Sequence, residues 1–204
     1  MVSEEQFAIL FTLMYATFWI VRGYYIRKTS EPNSRRTRAE RKEAMKKEGW
    51  TGVALIFLLP VGFFFASIYL ANPVWFSLSF LMVPELLRWF GLFITIVSIP
   101  IIIWVHQTLG KAYSYALETK SEQSLITTGP FRRLRHPLYS AHNLFNLGMI
   151  FLTLNIPLTI FAIIGVPLTY VRMRDEERMM FEMFGEDYKE YMKQTGRIFP
   201  KFFR

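Results

Sequence analysis

Between Leu138 and Val171 the chain carries no lysine, arginine, aspartate or glutamate, a run of 34 residues. As one helix this run would measure about 51 Å, against a hydrocarbon core of about 30 Å. Its length excludes a single crossing. Asn155-Ile156-Pro157 stands at its midpoint, where a proline removes a backbone donor and biases the preceding residue away from helix. The run predicts a helical hairpin with arms of about 17 residues, each roughly 25 Å long and slightly short of the core. Three further apolar runs, Phe7–Val21, Trp50–Ala71 and Leu86–Val105, complete the expected fold class. It is all-α, an integral membrane bundle of about five transmembrane helices, formed as a single domain over residues 1–204.

The 24 lysines and arginines give the bundle an expected orientation. Ten fall in Arg22–Trp50, five in Gln107–Pro137 and eight in Arg172–Arg204, which leaves only Arg88 for the other side. Under the positive-inside rule the N-terminus lies outside and the C-terminus in the cytoplasm. Trp19, Trp50, Trp75, Trp89 and Trp104 fall near the ends of these runs or in the short outer loop, as an aromatic belt requires. The acidic start, Met1–Gln6, lacks the basic region of a cleaved signal peptide, so the first run reads as a retained helix. The formal charge of +8 then faces membrane lipids rather than nucleic acid. The chain has no cysteine, which excludes disulfides, thiolate metal sites and a cysteine nucleophile. Ionisable side chains are missing from the middle of the apolar runs, which disfavours an ion or proton transporter.

Polar chemistry concentrates in the inner segments. Thr37-Arg-Ala-Glu40 reads as a capping box opening a short charged helix that closes at Gly49. From Leu125 to Tyr139 a Gly-Pro turn, three arginines, His136 and Pro137 lead into a helix start. Pro137 suits the first helical turn. Arg135 and His136 would then flank free backbone N–H groups, which favour an anionic ligand; basic residues marking the edge of a span would look the same. Arg172 and Glu176 stand at i, i+4 directly after Val171, on one helical face at the membrane boundary. An arginine there can clamp a carboxylate through two parallel hydrogen bonds, or can be a snorkelling anchor in an exposed ion pair. Phe184-Gly185 reads as a helix stop, followed by a short helix bearing Tyr188 and Tyr191, most simply along the interface as an amphipathic anchor, or else as a wall of the site. Asn143 and Asn146, with His142 beside them, point to hydrogen bonding between helices or to ligand contact. No nucleotide-binding glycine fingerprint, P-loop or zinc-ligand spacing is present. The residues alone thus reach a polar, ligand-binding inner face on a membrane bundle, and no particular reaction.

At these same residues the chain resembles the isoprenylcysteine carboxyl methyltransferase family and, more widely, the membrane phospholipid methyltransferases. The resemblance is strongest over residues 109–200. It rests on Leu109-Gly-Lys-Ala-Tyr-Ser114, Gly129-Pro-Phe-Arg132, Arg135-His-Pro-Leu-Tyr139, Arg172, Glu176-Glu177, Phe184-Gly-Glu-Asp-Tyr-Lys-Glu-Tyr191 and Thr195-Gly-Arg-Ile-Phe-Pro200, in that order. It implies S-adenosylmethionine as methyl donor, bound without a Rossmann fold among the inner loops and helix ends. The implied cofactor contacts are Gln123, Ser124, Leu125, Ile126, Phe131, His136, Pro137, Leu138, Tyr139 and Glu176. Phe131 stands where many members have tyrosine, so a hydroxyl contact there is lost. Arg172 matches the family's substrate-side arginine, and Arg172 with Glu176 would carry catalysis without a metal. The implied acceptor is a lipophilic or lipidated carboxylate, most simply a prenylcysteine-like one; a phospholipid amine and a non-enzymatic membrane scaffold or carrier are the alternatives. The short form looks most like prokaryotic members, which implies a multi-pass protein of a prokaryotic plasma membrane.

Overall fold

A computed structural model describes residues 3–29, 38–78, 84–110 and 125–201 of the protein, with the backbone alone at 29 and 38–48. The described residues form five long helices and no strand. They are α1 (Glu4–Thr29), α2 (Arg38–Ala71), α3 (Glu85–Leu109), α4 (Pro137–Thr153) and α5 (Ile156–Gln194), with one 3-10 turn at Gly129–Arg132. Reciprocal bonds between Ser3 and Gln6, 2.9 and 3.2 Å long, open α1 and satisfy two donors that the first turn leaves over. In α2, Gly49 adopts φ 64° and bends the charged segment away from the apolar one. Thr37 of the expected capping box lies outside the described residues.

Among the described residues four helices are long and apolar enough to cross a membrane: Glu4–Lys28, Gly49–Ala71, Glu85–Leu109 and Ile156–Gln194. The fifth, α4, has 17 residues and reaches only about 25 Å. Pro60, Pro100 and Pro167 sit inside α2, α3 and α5, a use of proline that neighbouring helices make tolerable in a membrane.

Contacts at both ends of the bundle set the helix directions. The Arg88 guanidinium of α3 donates twice to Glu4 of α1, at 2.7 and 3.0 Å, lies 3.6 Å from the Phe7 ring centre, and donates from Nε to the Leu152 carbonyl that ends α4. At the other end Arg22 of α1 meets His106 of α3 at 3.0 Å. So α1 and α3 run parallel. The start of α3 against the end of α4 makes those two antiparallel, and here they touch most closely. A Cβ on Gly91 would lie 2.6 Å from the Leu152 nitrogen and 2.7 Å from the Gly148 oxygen, so only glycine permits this crossing. Thr51 of α2 bonds Asp175 of α5, and Gly62 faces Phe161; that pair is antiparallel too. Phe7, Phe11, Tyr69, Phe145, Met149 and Leu152 fill the core between α1, α2 and α4.

The break between α4 and α5 is built as the midpoint proline demands. Leu154 takes the left-handed conformation at φ 48°. Asn155 caps α5 by accepting from the Leu158 N–H, and its own amide donates to the Trp75 carbonyl. From there α5 runs back along α4 and brings Glu176 and Glu177 to its first turn. The alternation of directions gathers the Leu125–His136 segment, the later part of α5 and the C-terminal residues at one end of the bundle.

Candidate active site

The site forms where the start of α4 meets α5. Its scaffold is the C-terminal segment, which pairs along the Gly-Pro turn. The Arg135 and His136 N–H groups donate to the Gly196 and Arg197 carbonyls at 2.8 and 3.0 Å, and the Gly196 N–H donates to Arg133. Ser140 Oγ donates to the Ile198 carbonyl. The Arg135 and His136 N–H groups thus belong to the C-terminal strap. Gly185, at φ 53°, bends α5 so that its last turns close over the site. Tyr188 and Tyr191 are buried there, with the Tyr191 hydroxyl donating to the Phe131 carbonyl at 2.7 Å. Both rings are turned inward, as a site wall requires.

Two adjacent carboxylates at the centre differ sharply. Glu177, buried, accepts 2.8 and 3.1 Å bonds from Arg135 Nε and Arg197 Nε and a further bond from Arg197 Nη2. Arg135 also donates to the Met192 and Thr195 carbonyls. Glu176 is more open, with 26% of its side chain accessible. It accepts from the Tyr139 hydroxyl at 2.7 Å and, weakly, from Arg172 Nε at 3.4 Å. His136 lies between the two, Nδ1 3.5 Å from Glu176 and Nε2 3.3 Å from Glu177.

Charge states follow from this arrangement. The apolar stretch of α5 ends at Val171, so both glutamates stand beyond the spanning segment. Burial pushes the His136 pKa down, but the bonds to Glu176 and Glu177 outweigh it and hold the imidazole above its ordinary value. Burial pushes both carboxylates up; His136, joined by Tyr139 and Arg172 at Glu176 and by Arg197 and Arg135 at Glu177, overcomes this and holds both below the usual range. Two arginines more than neutralise Glu177. The open carboxylate, Glu176, is the one that can receive a cationic group.

His136, Tyr139, Arg172 and Glu176 thus meet in one network, with Pro137 and Leu138 in the same helical turn. Phe131 is buried below Tyr191. Leu125 and Ile126 are half-buried and make no hydrogen bond to the network among the described residues. Gln123 and Ser124 lie outside the described residues, as does Lys111–Ser114 of the family-like stretch. Arg172 is only 4% exposed, which rules out the snorkelling anchor. Glu177 and Arg197 were not singled out as site residues from sequence; the adjacent glutamates amid an excess of arginine were the available signal.

The profile of the isoprenylcysteine carboxyl methyltransferase family matches residues 90–182. Among curated proteins, a protein-S-isoprenylcysteine O-methyltransferase of Saccharomyces cerevisiae is 32% identical over 96 residues, 46% of this chain and 40% of the relative. The cobalt-zinc-cadmium resistance protein CzcN of Cupriavidus metallidurans is 29% identical over 96 residues, 46% of this chain and 44% of the relative. The chain therefore spans less than half the length of the curated relatives it matches. A solved structure of the eukaryotic intramembrane Ras methyltransferase superposes with a TM-score of 0.65 at 17% identity, covering 98% of this chain and 68% of that one. That likeness is one of fold.

Proposed function

We propose that this chain, whose residues 90–182 match the profile of the isoprenylcysteine carboxyl methyltransferase family, is a membrane enzyme that methylates a carboxylate on a lipophilic, membrane-borne acceptor. The observation that carries the reading is a buried arginine, Arg172, one helical turn from a partly exposed carboxylate, Glu176, at the end of an apolar span. S-adenosylmethionine, when bound, supplies a methyl group on a cationic sulfur that departs with the electron pair as a carboxylate oxygen forms the new bond. The products are a methyl ester and S-adenosylhomocysteine, and no proton needs to move. The protein's task is then placement.

Glu176, ionised and open, faces the cationic donor and is held in position by the Tyr139 hydroxyl and by His136. Arg172 orients the acceptor with its guanidinium, whose two terminal nitrogens match a carboxylate's two oxygens. Glu177, fully engaged by Arg135 and Arg197, acts through His136 and the C-terminal strap to fix the helix start. Leu125, Ile126, Phe131, Pro137 and Leu138 supply apolar walls for the donor; Gln123 and Ser124, outside the described residues, are assigned to it by the family resemblance alone. The reading takes residues 1–204 as one domain in the plasma membrane of a prokaryote, with the N-terminus outside and the site reached from the cytoplasm.

Calorimetry of the detergent-purified chain with S-adenosylhomocysteine tests the donor. Incubation with labelled S-adenosylmethionine and N-acetyl-S-farnesylcysteine tests the reaction. A base-labile methyl ester is the expected product; a base-stable N-methyl lipid from native membranes would move the chain to the phospholipid branch, and no cofactor binding would leave a scaffold.

A further inference from the structure

Tyr139, Asn143 and Asn146 recur at i, i+4 and i+7, which places them on one face of α4. At the top of that face the Tyr139 hydroxyl bonds Glu176 of α5, so the face looks toward α5. The two helices run antiparallel with equal rise. One turn deeper Asn143 therefore lies level with Arg172, and Asn146, about 5 Å deeper still, lies level with Thr169. The Thr169 hydroxyl is occupied by its own helix, donating to the Val166 carbonyl. Asn143 is half-buried and Asn146 exposed, and neither makes a hydrogen bond among the described residues. Further along, at the level of Ile150, α5 carries Gly165, where an added Cβ would meet no atom within 4 Å.

Two carboxamides without partners inside an apolar span are costly to keep. Here they continue the polar face of the site and end where the wall opposite is hollow. Each carboxamide presents both a donor and an acceptor, and another amide is a neutral group that matches both at a fixed separation. We propose that Asn143 and Asn146 are specificity-determining residues that receive an amide on the acceptor, a few ångströms along its chain from the carboxylate at Arg172. Resting on the methyltransferase reading, this names the substrate class: a carboxylate, then an amide, then a lipid tail lying past Gly165, as in an N-acylated amino acid, in preference to a plain fatty or isoprenoid acid.

The test uses N-hexadecanoylglycine and a straight-chain fatty acid of matched length, which differ in the amide alone. Binding of each to the detergent-purified full chain, saturated with S-adenosylhomocysteine, is measured by calorimetry, and methyl ester formation is followed separately. Wild type binds the amide-bearing acid at least tenfold more tightly. In the N143L/N146L variant the two acids bind alike, while S-adenosylhomocysteine affinity is retained as the measure of folding. If the double variant loses that affinity, Asn146→Leu alone decides, because its side chain is exposed, and it lowers the preference at least threefold. Equal binding of the two acids by wild type, or a preference that survives both variants, overturns the inference. Amide-dependent binding without any methyl ester would instead uphold it and sink the methyltransferase reading.

Discussion

Replacing Glu177 by glutamine should unfasten the C-terminal strap. The carboxylate accepts from Arg135 and twice from Arg197, and lies 3.3 Å from the His136 ring. Glutamine keeps the volume but removes the charge, and its amide N–H groups must face a guanidinium. Each charge-assisted bond contributes about 1.5–3 kcal/mol, but the bonds share one acceptor group and do not add. Breaking a buried pair by removing one partner costs about 3–5 kcal/mol. Side-chain exposures of 9% for Glu177, 12% for Arg135 and 27% for Arg197 put most of the group inside that regime, with Arg197 partly relieved by water. The expected loss is about 3 kcal/mol, read as the unfolding free energy in mixed micelles. Limited trypsin digestion should also cut at Arg197 and Lys201 well before wild type is cut there. A loss below about 1 kcal/mol with unchanged digestion would place these ion pairs among screened surface pairs and refute the strap as a buried element.

The same cluster predicts a pH profile. His136 is held above its ordinary 6.5, so its contribution is complete below that pH and is lost as pH rises through the raised value; Glu177, held below its ordinary 4.5, contributes fully above 4.5 and less as pH falls toward its depressed value. Stability in detergent should peak between about pH 4.5 and 6.5, and His136→Ala should flatten the alkaline side and soften the acid side too, because His136 helps hold both carboxylates down. Arg172→Lys keeps the charge and loses the planar fork, so methyl transfer should fall at least tenfold, about 1.4 kcal/mol, with S-adenosylhomocysteine affinity nearly intact. Glu176→Gln should lower cofactor affinity first, by a similar factor; wild-type turnover in both variants would remove them from the mechanism. Reporter fusions should place Lys42 and Lys120 in the cytoplasm and Asn72 outside, and an external Lys120 would reverse the orientation.

What could be read from the sequence was what local spacing encodes. The 34-residue uncharged run required a break, and Asn155 with Pro157 located it to within two residues of the observed left-handed Leu154. Gly49 and Gly185 were legible because each follows a charged or amphipathic helical stretch, and both take positive φ. Arg172 and Glu176 were legible because i, i+4 puts them on one face. Element ends were less so: α1 runs from Glu4 to Thr29, beyond the apolar Phe7–Val21, because hydropathy ends at the bilayer while hydrogen bonding does not. Its closing Arg27 and Lys28 also suit a helix C-terminus.

The role of Glu177 could not be read in this way, and the reason is geometric. It is one residue from Glu176, which on a helix turns it by about 100° toward different neighbours. Its partners come from 42 residues before it and 20 after it, and no local period connects them. Only the folded chain shows that one member of the Glu-Glu pair is consumed by two arginines while the other keeps a partly exposed face. Under the methyltransferase reading, that division gives the pair its use. A site with two open carboxylates would repel an anionic acceptor, and one with both locked would have nothing to offer a cationic donor. On that reading Glu177 is neutralised by Arg135 and Arg197, and Glu176, held by the Tyr139 hydroxyl and beside His136, keeps a charge to offer a cationic donor.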